Sequence, residues 1–221
     1  EIGTQFDSLA SFDSSLSYTN TTRSLGAVDH ESGWRWNMAV GLDHANGETF
    51  SSLRGGLDVG TPLPVSNSSL WLYTAAGSVW GDRASPLGSF YLGAFGNNYV
   101  DDREVKRYRE YESLPGFDIN EVSARTFVRA VAELNLPPVR FEEVGVPALF
   151  LSSIRPALFL GGLELETAAG ERRSLQTAGV QLDLNITGTH RLPMVFSIGY
   201  GQGFEDGRRE GDEVLISLKI M

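Results

Sequence analysis

The chain has 221 residues, no cysteine and a formal net charge of −10. An acidic surface repels phosphate backbones, so nucleic acid is not expected as a partner, and a chain without cysteine has neither disulfides nor thiolate metal ligands. No apolar run reaches about 18 residues, which excludes a protein built from transmembrane helices.

Short segments that alternate apolar with small or polar residues follow one another along the chain. The clearest is 180–186, where valine, leucine and isoleucine alternate with glutamine, aspartate and asparagine. A period of two predicts a strand with two unlike faces. We predict about ten antiparallel strands on this basis, over 8–20, 34–44, 49–63, 69–80, 87–97, 121–136, 147–166, 174–187, 191–202 and from 214 to the end.

The connections between these strands differ in length and charge. Asn46-Gly47 is a strong signal for a tight hairpin, and Pro137-Pro138 ends the sixth strand. Bacterial outer-membrane barrels have short turns at one end and longer loops at the other. We therefore expect the long loops at one end of the strands and most short turns at the other end. The long loops are 21–33, 98–120 and 202–212, and the short turns include 44–48, 81–86 and 187–190.

The two faces of such strands predict two different surroundings. One face carries large apolar side chains, which in an outer-membrane barrel contact lipid. The other face carries charges, and an arginine or lysine in mid-membrane costs about 2–4 kcal/mol on a lipid-facing surface. We therefore expect the charged positions to face a polar lumen. They are Arg35, Arg54, Asp58, Arg129, Glu133 and Asp183.

Aromatic residues provide a second membrane signal. Tryptophan and tyrosine are enriched where a bilayer meets water. We expect the four tryptophans, together with the tyrosines, to form girdles at the two interfaces. They are Trp34, Trp36, Trp71 and Trp80.

Enzymatic and metal sites are not predicted. The histidines His30, His44 and His190 all fall in loops or turns, so no spacing makes two of them converge on a metal ion. No Gly-x-Ser-x-Gly elbow accompanies the serines, so a hydrolase triad is not expected. We expect no catalytic residue, no metal and no cofactor. A soluble β-barrel that binds a small apolar ligand remains open as an alternative, because its core would need the same alternation.

Residues 114–186 resemble the bacterial surface antigen superfamily, which comprises outer-membrane assembly barrels, two-partner secretion transporters and related proteins. The loop phrase Leu114-Pro115-Gly116-Phe117 resembles the family's Val-Arg-Gly-Phe/Tyr loop motif. Phe159-Leu-Gly-Gly162 stands where the family has Phe-x-Asp-x-Gly on the barrel wall. Residues 133–138 and 177–182 resemble two further family strands, and the order of these motifs extends the resemblance over roughly 50–221.

The resemblance implies a fold and a set of partners. Family barrels have sixteen strands and lie in the bacterial outer membrane. The resemblance therefore implies that 1–221 is a single barrel domain and supplies the C-terminal strands of a larger barrel. The partners would be the lipid bilayer and other envelope proteins or missing barrel strands. The implied function is protein insertion or translocation, or membrane anchoring.

Two departures from the family motifs suggest an alternative function. The family's loop arginine corresponds to Pro115, and Leu160 or Gly161 stands in place of its acidic partner on the wall. The charge-assisted contact that holds the loop in the lumen is therefore not expected in its usual form. A structural subunit of an envelope complex that has lost transport is the alternative that this difference motivates.

Overall fold

The chain folds into antiparallel β-structure with almost no helix. The computed structural model describes residues 8–24, 27, 29–95, 105–146, 148–188 and 192–220. The strands in this part of the chain are β1 (Leu9–Thr22), β2 (Ser32–Ala45), β3 (Glu48–Pro62), β4 (Ser69–Trp80), β5 (Phe90–Leu92), β6 (Val122–Ala124), β7 (Thr126–Asn135), β8 (Val139–Val146), β9 (Leu149–Glu166), β10 (Arg172–Gly188), β11 (Leu192–Glu205) and β12 (Arg208–Ile220). Two single-turn 3-10 helices cover Pro86–Gly88 and Arg107–Arg109. In the residues described, no helix has the length and apolar character needed to cross a membrane.

Ten of these strands form one antiparallel sheet. Its order is β1-β2-β3-β4-β7-β9-β10-β11-β12, and β8 pairs with the first part of β9. Strands β5 and β6 form a separate two-stranded sheet. Within the described residues β1 and β12 each pair on one side only, so the main sheet does not close on itself.

Short turns set the register of two of the hairpins. Asn46 and Gly47 join β2 to β3 with φ of 50° and 82°, the positive values that a two-residue hairpin turn requires. Asp206 and Gly207 join β11 to β12 in the same way, with φ of 49° and 75°. The prediction of a long loop over 202–212 is therefore wrong, because most of these residues pair in β11 and β12.

The predicted fifth and sixth strands differ from the observed ones. Of the expected strand 87–97, residues 87–95 are described; among these only β5 is extended, and it lies outside the main sheet. The expected strand 121–136 is split at Arg125, whose guanidinium donates hydrogen bonds to the carbonyl oxygens of Val79 and Gly81. After Pro137-Pro138 the chain resumes as β8, and both β7 and β8 pair with β9.

The expected distribution of the loops is also wrong, because the fifth predicted strand does not cross the sheet. The long connection 81–125 leaves the sheet at the same end as the short turns 46–47, 167–171 and 206–207. The loop 23–31 leaves at the opposite end. Part of the charged loop expected over 98–120, up to residue 104, lies outside the described residues.

One face of the main sheet, called here the apolar face, is exposed and rich in large hydrophobic side chains. Every strand of the main sheet contributes at least one such side chain that is more than a third exposed. Cross-strand pairing makes the apolar rows continuous; for example, Leu182 lies opposite Ile198, which lies opposite Ile216. Trp34 and Trp80 are exposed among the large apolar residues, near opposite ends of the strands.

The other face, called here the polar face, is covered by the long connection. A core forms there between strand residues such as Phe127 and Leu163 and connection residues such as Leu92, Leu114 and Phe117. Trp71 also lies in this covered region, 3% exposed and stacked on Tyr73, and its indole N–H donates to the carbonyl oxygen of His30. The expectation that Trp71 and Tyr73 belong to an exposed girdle is therefore wrong.

Candidate functional site: a loop anchored on the polar face

The site is formed by residues 105–117, called here the anchored loop, and by the strands beneath them. The loop includes the 3-10 turn Arg107–Arg109, which presents Arg109 to β7. Lys106, Tyr108 and Leu114 of the loop are almost completely buried. Burial of this kind on a sheet face requires that each charge of the loop has a partner.

A four-residue ionic network holds the first half of the loop. The guanidinium of Arg109 donates two hydrogen bonds to the Glu133 carboxylate, from Nε to Oε2 at 2.8 Å and from Nη2 to Oε1 at 2.7 Å. Arg109 Nη2 also donates to Asp29 Oδ2 at 2.8 Å. Lys106 Nζ lies 3.2 Å from Asp29 Oδ2 and 3.6 Å from Glu133 Oε1. Two cations of the loop thus face one carboxylate of the sheet and one of the loop 23–31.

Asn135 completes the surroundings of these charges. Its amide nitrogen donates to the Glu133 carboxylate, and its amide oxygen accepts from Lys106. Glu133 is 0% exposed. A buried ion pair is favourable only when further hydrogen bonds satisfy its remaining atoms, and this network supplies them.

Asp29 remains ionised in this network. Burial by itself raises the pKa of Asp29, but the positive charges of Arg109 and Lys106 outweigh burial and hold that pKa well below its ordinary value. Asp29 therefore keeps its negative charge through the neutral and mildly acidic range.

Aromatic packing supports the middle of the loop. The ring of Tyr108 stacks on that of Phe159, with centroids 4.2 Å apart and planes inclined by 19°. The ring of Phe95 packs edge-on against that of Phe159, with centroids 6.0 Å apart. Arg129 of β7 donates to the carbonyl oxygen of Tyr108 at 2.5 Å and to Ser113 Oγ at 3.1 Å. The loop backbone is thus bound from the sheet as well as packed on it.

The end of the loop, Leu114–Phe117, lies against β10, β11 and β12. Thr177 Oγ1 donates to the carbonyl oxygen of Pro115 at 2.6 Å, and the Gly116 N–H donates to Glu213 Oε2 at 3.3 Å. Gly116 has φ of +95°, and a Cβ on it would lie 2.0 Å from the backbone nitrogen of Gly203. Only glycine combines this backbone conformation with so close an approach.

A charge-assisted contact between the loop and the sheet does form, but not between the positions that the family motifs indicate. The loop lies on the polar face although Pro115 carries no charge, because the charge-assisted contact is made by Arg109, six residues earlier, with Glu133 of β7. The expectation was that the contact would not form in its usual way, through an arginine at the position of Pro115, and the Arg109–Glu133 pair is a different contact. Phe159 and Gly161 lie on the polar face, whereas Gly162 points to the apolar face, where a Cβ would meet nothing within 4 Å.

The charged residues predicted for the lumen occupy the polar face but form several separate contacts. Arg35 Nε donates to Asp58 Oδ2 at 2.6 Å. Arg54 donates to the Tyr111 hydroxyl and lies over its ring, 4.6 Å from the centroid. Asp183 is 0% exposed and accepts 2.7 Å hydrogen bonds from Ser197 Oγ and Gln181 Nε2.

The residues that sequence reasoning missed are Asp29, Lys106, Tyr108 and Arg109. Arg109 and Lys106 were recognised only as members of a charged loop, and Asp29 only as part of a polar connection. One signal pointed to the pairing: Glu133 had been placed on the lumen-facing side, where a buried carboxylate needs a cation. The sequence does not show which of the several loop cations reaches it.

Histidine and acidic residues form no metal centre in the part of the chain that the structure describes. His30 and His44 are each hydrogen-bonded to a threonine hydroxyl, at 3.1 and 3.0 Å. His190 lies outside the described residues.

Comparisons with known proteins add no relative. No family model matches the chain, and no curated protein and no solved structure matches it either.

Replacing Glu133 by glutamine should release the anchored loop. The substitution leaves Arg109 and Lys106 buried with Asp29 as their remaining partner, and breaking a buried pair costs about 3–5 kcal/mol. We expect a loss of that size in the free energy of unfolding, measured by urea titration in detergent, together with faster amide hydrogen exchange over 105–117. The control is Glu48→Gln, at an exposed carboxylate next to the turn between β2 and β3, which should change stability by less than about 0.5 kcal/mol. Equal effects of the two substitutions would contradict the network.

Gly116→Ala tests the contact between the loop end and β11. The added methyl group must occupy a left-handed backbone conformation and meet the Gly203 backbone, so stability should fall by about 2 kcal/mol or more. Gly162→Ala is the matched control, because the space around Gly162 is open and no loss is expected. The same urea titration measures both variants, and an unchanged midpoint for Gly116→Ala would show that the loop end does not lie on β11.

Proposed function

We propose that this chain belongs to an outer-membrane β-barrel of the bacterial surface antigen superfamily, and that it serves protein insertion or translocation, or anchors a partner in the membrane. The observation that carries the proposal is the chemical contrast between the two faces of one sheet. Large apolar side chains are exposed on one face, and charged side chains are buried on the other.

The apolar face is too extensive to be an ordinary water-exposed surface. The largest apolar patch on a typical soluble monomer covers about 300–600 Å². Here exposed apolar rows cross the sheet from β1 to β12, with side chains such as Leu16, Leu160 and Ile216 more than 60% exposed. Hydrocarbon chains satisfy such a face without any further protein partner, since each strand alternates apolar and polar residues as transmembrane barrel strands do.

The polar face supports the same proposal. In a barrel this face would line the lumen, and the anchored loop would lie inside it. Charges such as those of Glu133 and Arg129, both nearly fully buried, lie where lipid would not meet them. Because lipid does not tolerate an open sheet edge, the proposal requires that further strands pair with β1 and β12.

The reason for preferring a subunit without transport has weakened. That alternative was motivated by the apparent loss of the contact between the loop and the wall, and the Arg109–Glu133 pair now supplies such a contact. The alternative of a soluble barrel with an apolar interior is disfavoured, because the large apolar side chains of the apolar face are exposed and not enclosed.

Leu160→Arg tests the membrane proposal against a soluble fold. Leu160 is 63% exposed in the middle of β9. In a bilayer the arginine should destabilise the folded protein by about 2–4 kcal/mol, whereas in water an exposed substitution changes stability by less than about 0.5 kcal/mol. The measurement is urea unfolding of the protein folded into lipid vesicles, followed by tryptophan fluorescence.

Val65→Arg is the control for that experiment. Val65 is 59% exposed but lies in the turn between β3 and β4, beyond the end of the strands. Near the interface the arginine should cost about 0–1 kcal/mol. Equal small effects at Leu160 and Val65 would contradict burial of the apolar face in hydrocarbon.

Planar bilayers test the transport part of the proposal. If the anchored loop narrows a lumen, the wild-type chain should give small conductance steps, and Glu133→Gln should give larger or more variable ones, because the released loop leaves the pore. Glu48→Gln should behave as wild type. Identical conductance for all three proteins, or none at all, would argue against a loop-gated path and leave anchoring as the function.

A further inference from the structure

A polar cavity lies on the polar face beside the anchored loop. Its volume is about 300 Å³, within the range of small-molecule sites. Strands β1 to β4 form its floor, where Gly56 and Ala75 leave space, and Tyr111 of the loop forms part of its wall. The cavity adjoins the ionic network, and Arg109 belongs to both.

Positive charge dominates the lining of this cavity. Four guanidinium groups and two carboxylates line it, in a chain whose net charge is −10. The cations are Arg35, Arg54, Arg109 and Arg129, and the anions are Asp58 and Glu110. Since the chain as a whole is acidic, a local excess of arginine inside a cavity is a specific feature and does not follow from composition.

Two of these arginines form no ion pair among the residues that the structure describes. Arg54 is bound only by Tyr111, through its hydroxyl and its ring. Arg129 is 2% exposed, donates from Nη2 to Tyr108 and Ser113, and has a buried Nε–H without an acceptor in the described part of the chain. A buried charged donor left without an acceptor is unfavourable, so the site favours a ligand that supplies one.

Neither of the lining carboxylates, Asp58 and Glu110, forms an ion pair with Arg54 or Arg129 in the described part of the chain. Asp58 is the acidic group whose charge acts on Arg129, but Arg35 already binds it at 2.6 Å. Arg109 has two carboxylate partners of its own, Glu133 and Asp29. The guanidinium groups without a carboxylate partner in the described part of the chain are therefore those of Arg54 and Arg129, which lie on either side of the small residue Ala75.

We propose that this cavity binds an oxyanion, a carboxylate or phosphate group of a small molecule, between Arg54 and Arg129. Guanidinium groups donate paired hydrogen bonds that match the geometry of both groups. The tyrosine rings and the small floor residues leave room for a group larger than the bare ion. This inference is independent of the proposed membrane function, since it depends on the cavity alone.

Equilibrium dialysis of the folded full chain in detergent tests the proposal, with inorganic phosphate in one arm and acetate in the other. We expect saturable binding of one anion per chain in at least one arm. Arg54→Gln should weaken that binding about tenfold or more, which corresponds to one charge-assisted hydrogen bond. Arg209→Gln is the matched control, because Arg209 is exposed at the turn between β11 and β12 and pairs with Asp212. Its binding should equal that of wild type.

A stability measurement provides a second, independent readout of the same site. Phosphate or acetate at about 10 mM, with ionic strength held constant by chloride, should raise the urea midpoint of wild type and of Arg209→Gln, and should not raise that of Arg54→Gln. Absence of saturable binding in both arms would overturn the proposal. Equal binding by wild type and Arg54→Gln would overturn it as well, since the anion would then lie elsewhere.

Discussion

The buried carboxylate of Glu133 has to be compensated, and this requirement determines where the long connection lies. A fully buried carboxylate costs several kcal/mol unless cations and hydrogen-bond donors surround it. Arg109, Lys106 and Asn135 provide them. Arg109 and Lys106 belong to the long connection 81–125, which leaves the sheet at the end opposite the loop 23–31. The same contact therefore neutralises the sheet and fixes the loop. Asp29 extends the network to a second connection, so both ends of the sheet contribute to one cluster.

The rest of the polar face is shaped to receive this loop. Glycines on β11 and β12 allow the backbone of Leu114–Phe117 to approach closely, as the contact between Gly116 and Gly203 shows. Aromatic stacking of Tyr108 on Phe159 fills the space between the charges and this contact. In a soluble protein, apolar side chains are usually buried between two packed layers of secondary structure. Here they are buried between a loop and one face of a sheet. The opposite face keeps its large side chains exposed.

Much of the fold follows from the alternation of residue types, whereas the loop contacts do not. Strands such as β2, β10 and β12 have strict alternation, and both faces of each could be assigned from it. The prediction of a strand over 87–97 failed because its apolar residues fill the space under the loop. The alternation of residue types along the sequence does not reveal such a tertiary contact. The prediction of one unbroken strand over 121–136 failed for a similar reason. The side chain of Arg125 binds backbone carbonyl oxygens of another segment and interrupts the strand there. Arg109 was missed because several cations in one loop are equivalent until three-dimensional packing selects one.

The central claim is that hydrocarbon covers the apolar face and that the polar face is shielded from it. Tryptophan quenching by lipids brominated on their acyl chains tests this claim most directly, using variants that each keep one tryptophan. Trp80 is 50% exposed on the apolar face, and Trp71 is 3% exposed on the polar face. The account predicts strong quenching of Trp80 and little quenching of Trp71 in vesicles. Fluorescence of Trp80 that brominated lipid leaves unchanged, or quenching of Trp71 as strong as that of Trp80, would contradict it.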